Sequence, residues 1–153
     1  MTHENDQWPM SNDQWDTRRV VAMNGSRVKR KAGEKAFDIK ERTFEFGVRV
    51  VKLVGTLPRT VAGIEVGRQL VRAGTSVGSN TEEADGAVSR KDFVNHIRIA
   101  RKEARESRYW LRMIAAAGLL FDPEIDALVA EAGELVRLLS GIVTSTTRGS
   151  TSE

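Results

Sequence analysis

The most distinctive chemical pattern in this chain is a row of basic residues spaced three or four positions apart, the spacing of neighbours on one helix face. The row consists of Arg98, Arg101, Lys102, Arg105, Arg108 and Arg112. Arginine fills all but one place, and its planar guanidinium suits bidentate contact with phosphate or carboxylate. The pattern predicts a basic stripe over about four helical turns, opposite the apolar face of the same helix.

The partner of this stripe depends on where the negative charge lies. Residues 89–112 carry eight basic and three acidic side chains, whereas residues 122–144 carry five acidic and one basic. One hypothesis pairs the arginines with the acidic segment, inside a bundle or across a subunit seam, or leaves them as a solvated face. The other hypothesis is a phosphate-tracking surface, with Tyr109 on the same side. Trp110 lies about 100° farther round and is interpreted as filler of a core or an interface.

Residues that would indicate an enzyme or a metal site are nearly absent. The chain has no cysteine and two histidines, His3 and His96, far apart in sequence. Glu82, Glu83 and Asp85 cluster, but adjacent helical positions diverge by about 100° and do not converge on one ion. No phosphate-binding loop of the P-loop type occurs. We therefore predict no catalytic residue, no metal, no cofactor and a protein that is not an enzyme.

Composition fits one small helical domain with a tail. The 153 residues are 40% hydrophobic and 29% charged, as expected for a domain of about 100 to 150 residues. No apolar run reaches the roughly 18 residues of a membrane span, so we predict no membrane partner and a cytoplasmic location. The net charge of +3 permits nucleic acid as a partner without requiring it.

Hydrophobic periodicity divides the chain into three parts. Residues 1–36 lack a sustained period, and residues 17–36 hold seven basic residues against one acidic, which predicts a disordered basic tail. Residues 37–148 contain four amphipathic segments with short connections and are predicted to form an all-α, antiparallel up-and-down four-helix bundle. Residues 149–153 are predicted to be a frayed C-terminal end.

Capping and breaking residues place the four helices at about 39–57, 61–84, 89–117 and 122–144. Pro58 ends the first, Ser89 caps the third, Gly118 stops it, and Pro123 opens the fourth. The first helix is apolar over more than half of its circumference, so we expect it to be covered on two sides. That excess of packable surface predicts an oligomer.

Glycine is unusually frequent on one face of the second helix. Gly63, Gly67, Gly74 and Gly78 fall within about 60° of one another on the helical wheel, and each costs roughly 1 kcal/mol of helix propensity relative to alanine. One interpretation is a close approach by a neighbouring helix or subunit along this face. The other is a break near Gly74 that divides the helix.

Several ordered blocks of the chain resemble four-helix-bundle proteins named after open reading frames in intervening sequences of 23S ribosomal RNA genes. The blocks are Phe37–Phe46, Leu70–Asn80 with Glu82–Ala84, Lys91–Phe93, Ala100–Glu106 and Tyr109–Leu111. The resemblance runs from about Phe37 to Arg148. The chain departs from the pattern in its tail and at Thr81, where family members usually carry an apolar or aromatic residue.

The resemblance implies a bacterial cytoplasmic bundle that assembles as a homopentamer and has no assigned reaction. A related bundle is the accessory protein of diversity-generating retroelements, which works with a reverse transcriptase and RNA. We therefore expect a non-enzymatic, oligomeric accessory factor that associates with nucleic acid, RNA more than DNA, through the basic stripe, with a reverse transcriptase as a candidate partner. The alternative is a structural or protein-interaction scaffold whose stripe forms salt bridges at subunit seams.

Overall fold

The computed structural model describes residues 38–148, which form helices and short connections and contain no strand. The helices are α1 (Ile39–Val54), α2 (Val61–Asp85), α3 (Arg90–Ala116) and α4 (Pro123–Arg148). Helix α1 packs on α2, α2 on α3 and α3 on α4, with a smaller contact between α1 and α4. The predicted all-α four-helix bundle is confirmed. The tail predicted at 1–36, Phe37 and the end predicted at 149–153 lie outside the described residues.

Polar caps explain where two of the helices begin. The Asp38 carboxylate accepts a hydrogen bond from the Lys40 backbone N–H at 2.9 Å, and the Ser89 hydroxyl accepts one from the Asp92 N–H at 3.1 Å. Each cap satisfies a backbone donor that has no partner within its own helix. Asp92 also places negative charge in the first turn of α3, where the helix dipole favours it.

Turns explain where α1 and α3 end. Helix α1 ends at Val54, three residues before the predicted end at Leu57, because the Leu57 N–H bonds back to the Val54 carbonyl at 3.1 Å. This hydrogen bond between residues three apart forms a tight turn of the 3₁₀ type before Pro58. Helix α3 ends at Ala116, and Gly118 follows with a φ of 65°, in the left-handed region that favours glycine after a helix. The predicted stop at Gly118 is confirmed.

One hydrophobic core runs between the four helices. The apolar stripe predicted on α3 is buried, and it comprises Phe93, Ile97, Ala100, Ala104, Leu111 and Ile114. Burying a large apolar side chain contributes about 1.5–3 kcal/mol, so Phe46 of α1 and Leu70 of α2, both buried, add to the same core. Thr81, the departure from the family pattern, is buried too, and its hydroxyl donates to the Val77 carbonyl at 2.8 Å. The core therefore accepts this hydroxyl without an unsatisfied donor.

The glycine face of α2 lies against α1 and the loop that follows it. The helix is continuous through Gly74, so the alternative of a break is wrong. A Cβ atom at Gly74 would lie 2.7 Å from Val50 Cγ1, and one at Gly78 would lie 3.2 Å from the Thr43 carbonyl oxygen. Gly63 and Gly67 are crowded in the same way. The close approach offsets the low helix propensity of these glycines by dense packing within one chain.

Candidate nucleic-acid interface

The basic residues predicted on α3 lie along one side of that helix. We call Arg98, Arg101, Lys102, Arg105, Arg108 and Arg112 the arginine ridge. All are exposed except Arg101, which is half-buried. On the helical wheel the arginines span about 80°, and their centre lies about 100° from that of the buried stripe. The ridge therefore lies beside the buried face, towards α4, and the predicted position opposite that face is wrong.

The acidic residues of α3 face α2 instead of the ridge. Glu103, which is 7% exposed, lies 3.5 Å from Arg72 of α2 (Oε2 to Nη1), and Glu106 accepts a hydrogen bond from the same guanidinium. Partial burial opposes ionisation of Glu106, but the hydrogen bonds from Arg72 and Trp110 outweigh it and hold the pKa of Glu106 below its ordinary value. Both carboxylates therefore pair with an arginine of α2, and the positive charge of Lys102 also lowers the pKa of Glu106.

The acidic residues of α4 also bind arginines outside the ridge. Glu131 forms a two-point contact with Arg42 of α1, at 2.5 Å to Nε and 2.8 Å to Nη2. Glu124 binds Nε of Arg49 on α1 at 2.5 Å, and Glu134 pairs with an arginine one turn later on α4. The hydrogen bond to Glu131 raises the pKa of Arg42. Among residues 38–148, the pairing expected between α4 and the ridge inside one bundle is therefore not found.

A groove of about 770 Å³ separates the ridge from α4. Its α3 wall consists of Arg105, Arg108, Tyr109 and Arg112. Its α4 wall includes Asp126, Val129, Ala130, Gly133, Glu134, Val136 and Arg137. Sequence reasoning found the α3 wall from its spacing but missed the α4 wall. The sequence feature that could have indicated the α4 wall is Gly133, a glycine in the middle of a helix.

Tyr109 and Trp110 lie on different sides of α3. Tyr109 lines the groove and is 52% exposed. Trp110 is half-buried, packs against the core and donates its indole N–H to Glu106 at 3.3 Å. The two rings meet edge to face, with centroids 4.9 Å apart and an interplanar angle of 77°. The anchored indole thus supports the tyrosine ring, which is exposed beside the groove.

Gly133 differs from the glycines of α2 because no atom occupies the place of its missing side chain. A Cβ atom built there meets nothing within 4 Å. Glycine at this position lowers helix stability by about 1 kcal/mol relative to alanine. In the described part of the chain, no neighbouring helix packs closely against Gly133 to offset this cost. It opens the floor of the groove and exposes the backbone of α4 there.

A second, apolar groove lies on the outer side of α1 and α2. It measures about 840 Å³, and Phe44, Val48 and Val51 of α1 line it above Gly47 and Gly78. Phe44 is 63% exposed and Val51 is 48% exposed. The sequence predicted that the wide apolar surface of the first helix is covered on two sides. In the structure, α2 and the core cover one side of this surface, and the other side is exposed. An exposed patch of this kind is typical of a protein–protein contact.

The fold and the blocks of matching sequence agree with a comparison of the chain against family models. The model described as 23S rRNA-intervening sequence protein matches residues 35–141. The chain belongs to this family. The resemblance drawn from residues of the first three helices is therefore confirmed.

The chain is also similar to a solved structure. That structure is a protein of unknown function from the S23 ribosomal protein family of Bacteroides thetaiotaomicron VPI-5482. The two are 34% identical with a TM-score of 0.63, and the match covers 69% of this chain and 95% of that chain. No curated protein matches the chain significantly. The comparisons thus show family and fold without naming a reaction.

Residues that could hold a metal ion do not converge in the described part of this family member. Between residues 38 and 148, no group of three His, Cys, Asp or Glu side chains lies in ligand geometry. His96 has Asn80 Oδ1 3.4 Å from Nδ1 and Asp92 Oδ1 3.5 Å from Nε2, so both ring nitrogens face polar neighbours.

None of the four helices is long and apolar enough to cross a membrane.

Proposed function

We propose that this member of the family is a non-enzymatic accessory factor that associates with nucleic acid through the arginine ridge. The observation that carries the proposal is the distribution of ion pairs. Arginines of α1 and α2 bind four carboxylates of α3 and α4, those of Glu103, Glu106, Glu124 and Glu131. No ridge arginine lies within ion-pair distance of a carboxylate among residues 38–148. A row of unneutralised guanidinium groups at helical spacing suits phosphates along a backbone.

The proposal extends to the ligand and the cellular setting. RNA is the expected ligand in preference to DNA, because the retroelement accessory protein to which the family is related works with RNA. A reverse transcriptase is accordingly the proposed protein partner, and the cytoplasm of a bacterium the proposed location. Genomic neighbourhood tests this part: a gene beside a reverse transcriptase and a variable template repeat supports it, and a gene inside a 23S rRNA operon supports the narrower role that the family description names.

Substitution of Arg105, Arg108 and Arg112 by alanine, one at a time, tests the ridge. If each binds a phosphate, affinity falls for all sequences, and the slope of log K against log salt becomes shallower by up to about 0.7–0.9 per lost contact. Thermal stability stays nearly unchanged, because these side chains are exposed. Arg68→Ala is the matched control, since Arg68 is an exposed arginine of α2 outside the ridge.

Lost stability or lost assembly in the ridge variants, with unchanged binding, supports a second function. In that function the protein is a scaffold whose ridge forms salt bridges at subunit seams. The apolar groove at Phe44, Val48 and Val51 favours self-association, and we propose a homopentamer. In that case alanine in the ridge lowers the unfolding midpoint or dissociates the assembly, since removing one partner of a buried pair costs about 3–5 kcal/mol. An unchanged salt slope with lost assembly would exclude the nucleic-acid role for this surface.

Sedimentation tests the oligomer separately. At tens of micromolar, on the order of a moderate assembly affinity, the chain sediments as an assembly if the proposal holds. Phe44→Ser should shift it towards the monomer, because it removes the largest exposed apolar side chain of the groove. Phe121→Ser removes an exposed aromatic ring outside both grooves and serves as the control. A chain that remains monomeric would contradict the pentamer.

A further inference from the structure

We infer that the groove between α3 and α4 binds one unpaired nucleotide of a single-stranded RNA, with its base against Tyr109 and the backbone of Gly133. The inference rests on the nucleic-acid role proposed above and specifies what that surface recognises. Three features of the groove support it: an exposed aromatic ring, an empty floor and an excess of positive charge at the rim.

Tyr109 supplies the stacking surface. Its ring is half-exposed and lines the groove, while its edge-to-face contact with Trp110 at 4.9 Å fixes its position. Trp110 is itself anchored by the core and by Glu106. Bases of single-stranded RNA stack on aromatic side chains held in this way.

Gly133 supplies the space. No atom lies within 4 Å of the position that its Cβ would take, and Val129 and Val136 form apolar walls on either side. A flat, largely apolar group can therefore lie against the helix backbone, as at other sites where glycine permits close approach. The groove volume of about 770 Å³ falls in the usual range for a small-molecule site, about 300–1,000 Å³.

The charge at the rim favours an anionic ligand. Four arginines line the groove, Arg105, Arg108, Arg112 and Arg137, against two carboxylates, Asp126 and Glu134, a net charge of +2. Glu134 is already paired with Arg137. The three ridge arginines are left to bind the phosphates on either side of an inserted base.

The strandedness follows from the location of Tyr109 inside the groove. In a duplex the base faces are stacked within the helix, and the deep, narrow major groove of A-form RNA hides the base edges from side chains. A duplex therefore reaches the ridge through its phosphates alone. An unpaired nucleotide contacts the ridge and the tyrosine together, so the site should prefer single strands.

The test compares binding of a labelled single-stranded RNA of about 12 nucleotides with binding of the corresponding duplex, using the full-length protein. Tyr109→Ala and Gly133→Leu should each weaken single-strand binding about tenfold and leave duplex binding unchanged. Tyr109→Phe keeps the ring and should bind as the unaltered protein does. Ala127→Leu places the same leucine side chain at an exposed position of α4 outside the groove and is the control for Gly133→Leu.

The outcomes separate this inference from the function on which it rests. If alanine in the ridge weakens both RNAs but Tyr109→Ala and Gly133→Leu weaken neither, the surface binds nucleic acid and the nucleotide site is overturned. If alanine in the ridge changes nothing, the proposed function fails first. If Gly133→Leu dissociates an assembly, the groove receives a side chain of a second copy, and the nucleotide site is also overturned. Cooperative thermal unfolding of Gly133→Leu, with a midpoint no lower than that of the unaltered protein, shows that the variant is folded.

Discussion

The two antiparallel helix pairs of this bundle use the same residue types for opposite purposes. Between α1 and α2, glycines let the helices approach until Val50 fills the place of the Gly74 side chain. Between α3 and α4, Gly133 leaves an empty space at the floor of a charged groove. Glycine in a helix therefore signals either dense packing or an opening, and its neighbours across the seam decide which.

The arginines show the same division. Arg42 of α1 is bound at two points by Glu131, whereas Arg108 of α3 is exposed beside the groove. An arginine that is neutralised by a part-buried carboxylate contributes to stability, while one that remains in water contributes little. Arg42 thus links α1 to α4 through an ion pair, whereas the ridge arginines beside the groove stay exposed.

Gly74→Leu should have the largest effect on this contrast. Its Cβ would lie 2.7 Å from a methyl group of the stiff, β-branched Val50, so the helices must separate, at a cost of about 3 kcal/mol. We expect the thermal midpoint to fall by about 10 °C or more. Calorimetry measures this, with Gly74→Ala as a milder variant. Unfolding at the original temperature would show that α1 and α2 do not pack this closely.

Arg42→Ala should have the second-largest effect on stability. It leaves the part-buried Glu131 without its two-point partner and should lower the free energy of unfolding by about 1–2 kcal/mol. Arg108→Ala, the matched change on the other helix pair, should alter it by no more than about 0.5 kcal/mol. Urea denaturation with an unchanged m-value measures both. Equal losses would remove the distinction between structural and exposed arginines.

Gly133→Leu should act in the opposite direction to Gly74→Leu. The space above Gly133 is empty, so the substitution should gain helix propensity, about 0.5–1 kcal/mol, without a clash. The thermal midpoint should rise by a few degrees, about 2–5 °C. Ala127→Leu, exposed on the same helix, should leave the midpoint nearly constant because alanine and leucine differ little in propensity. A lowered midpoint would mean that the groove is already filled in solution.

Glu106→Gln should have the smallest effect and a distinct pH dependence. The folded-state pKa of Glu106 is lowered, so its contribution is present above the ordinary pKa and is lost as the pH falls through the folded-state value. Because Arg72 is half-exposed, solvent screens the pair, and we expect at most about 1 kcal/mol at neutral pH. The difference between the two proteins should shrink below pH 4.5, the ordinary value. Urea denaturation across this range measures it, with Glu65→Gln as an exposed control. A difference that persists in acid would rule out the ion pair as its cause.

Much of the fold follows from local patterns. The N-cap at Ser89, the stop at Gly118 and the start at Pro123 are each set by a few neighbouring residues, since backbone capping and φ restrictions act over one turn. The buried stripe of α3 follows from apolar spacing alone. The end of α1 was misplaced by three residues, because the bond from Leu57 back to Val54 leaves no trace in hydrophobic periodicity.

The candidate site, too, is determined in part by the local sequence and in part by the tertiary structure. The spacing of the ridge arginines determined that they share one side of a helix, and the composition of residues 122–144 determined that the next helix is acidic. The tertiary structure decided that Glu131 turns to Arg42, that Arg72 takes Glu103 and Glu106, and that Gly133 faces an open groove. These outcomes depend on the rotation of each helix about its axis. That rotation is set by the sum of core contacts between residues far apart in sequence, which a pattern within one helix does not contain.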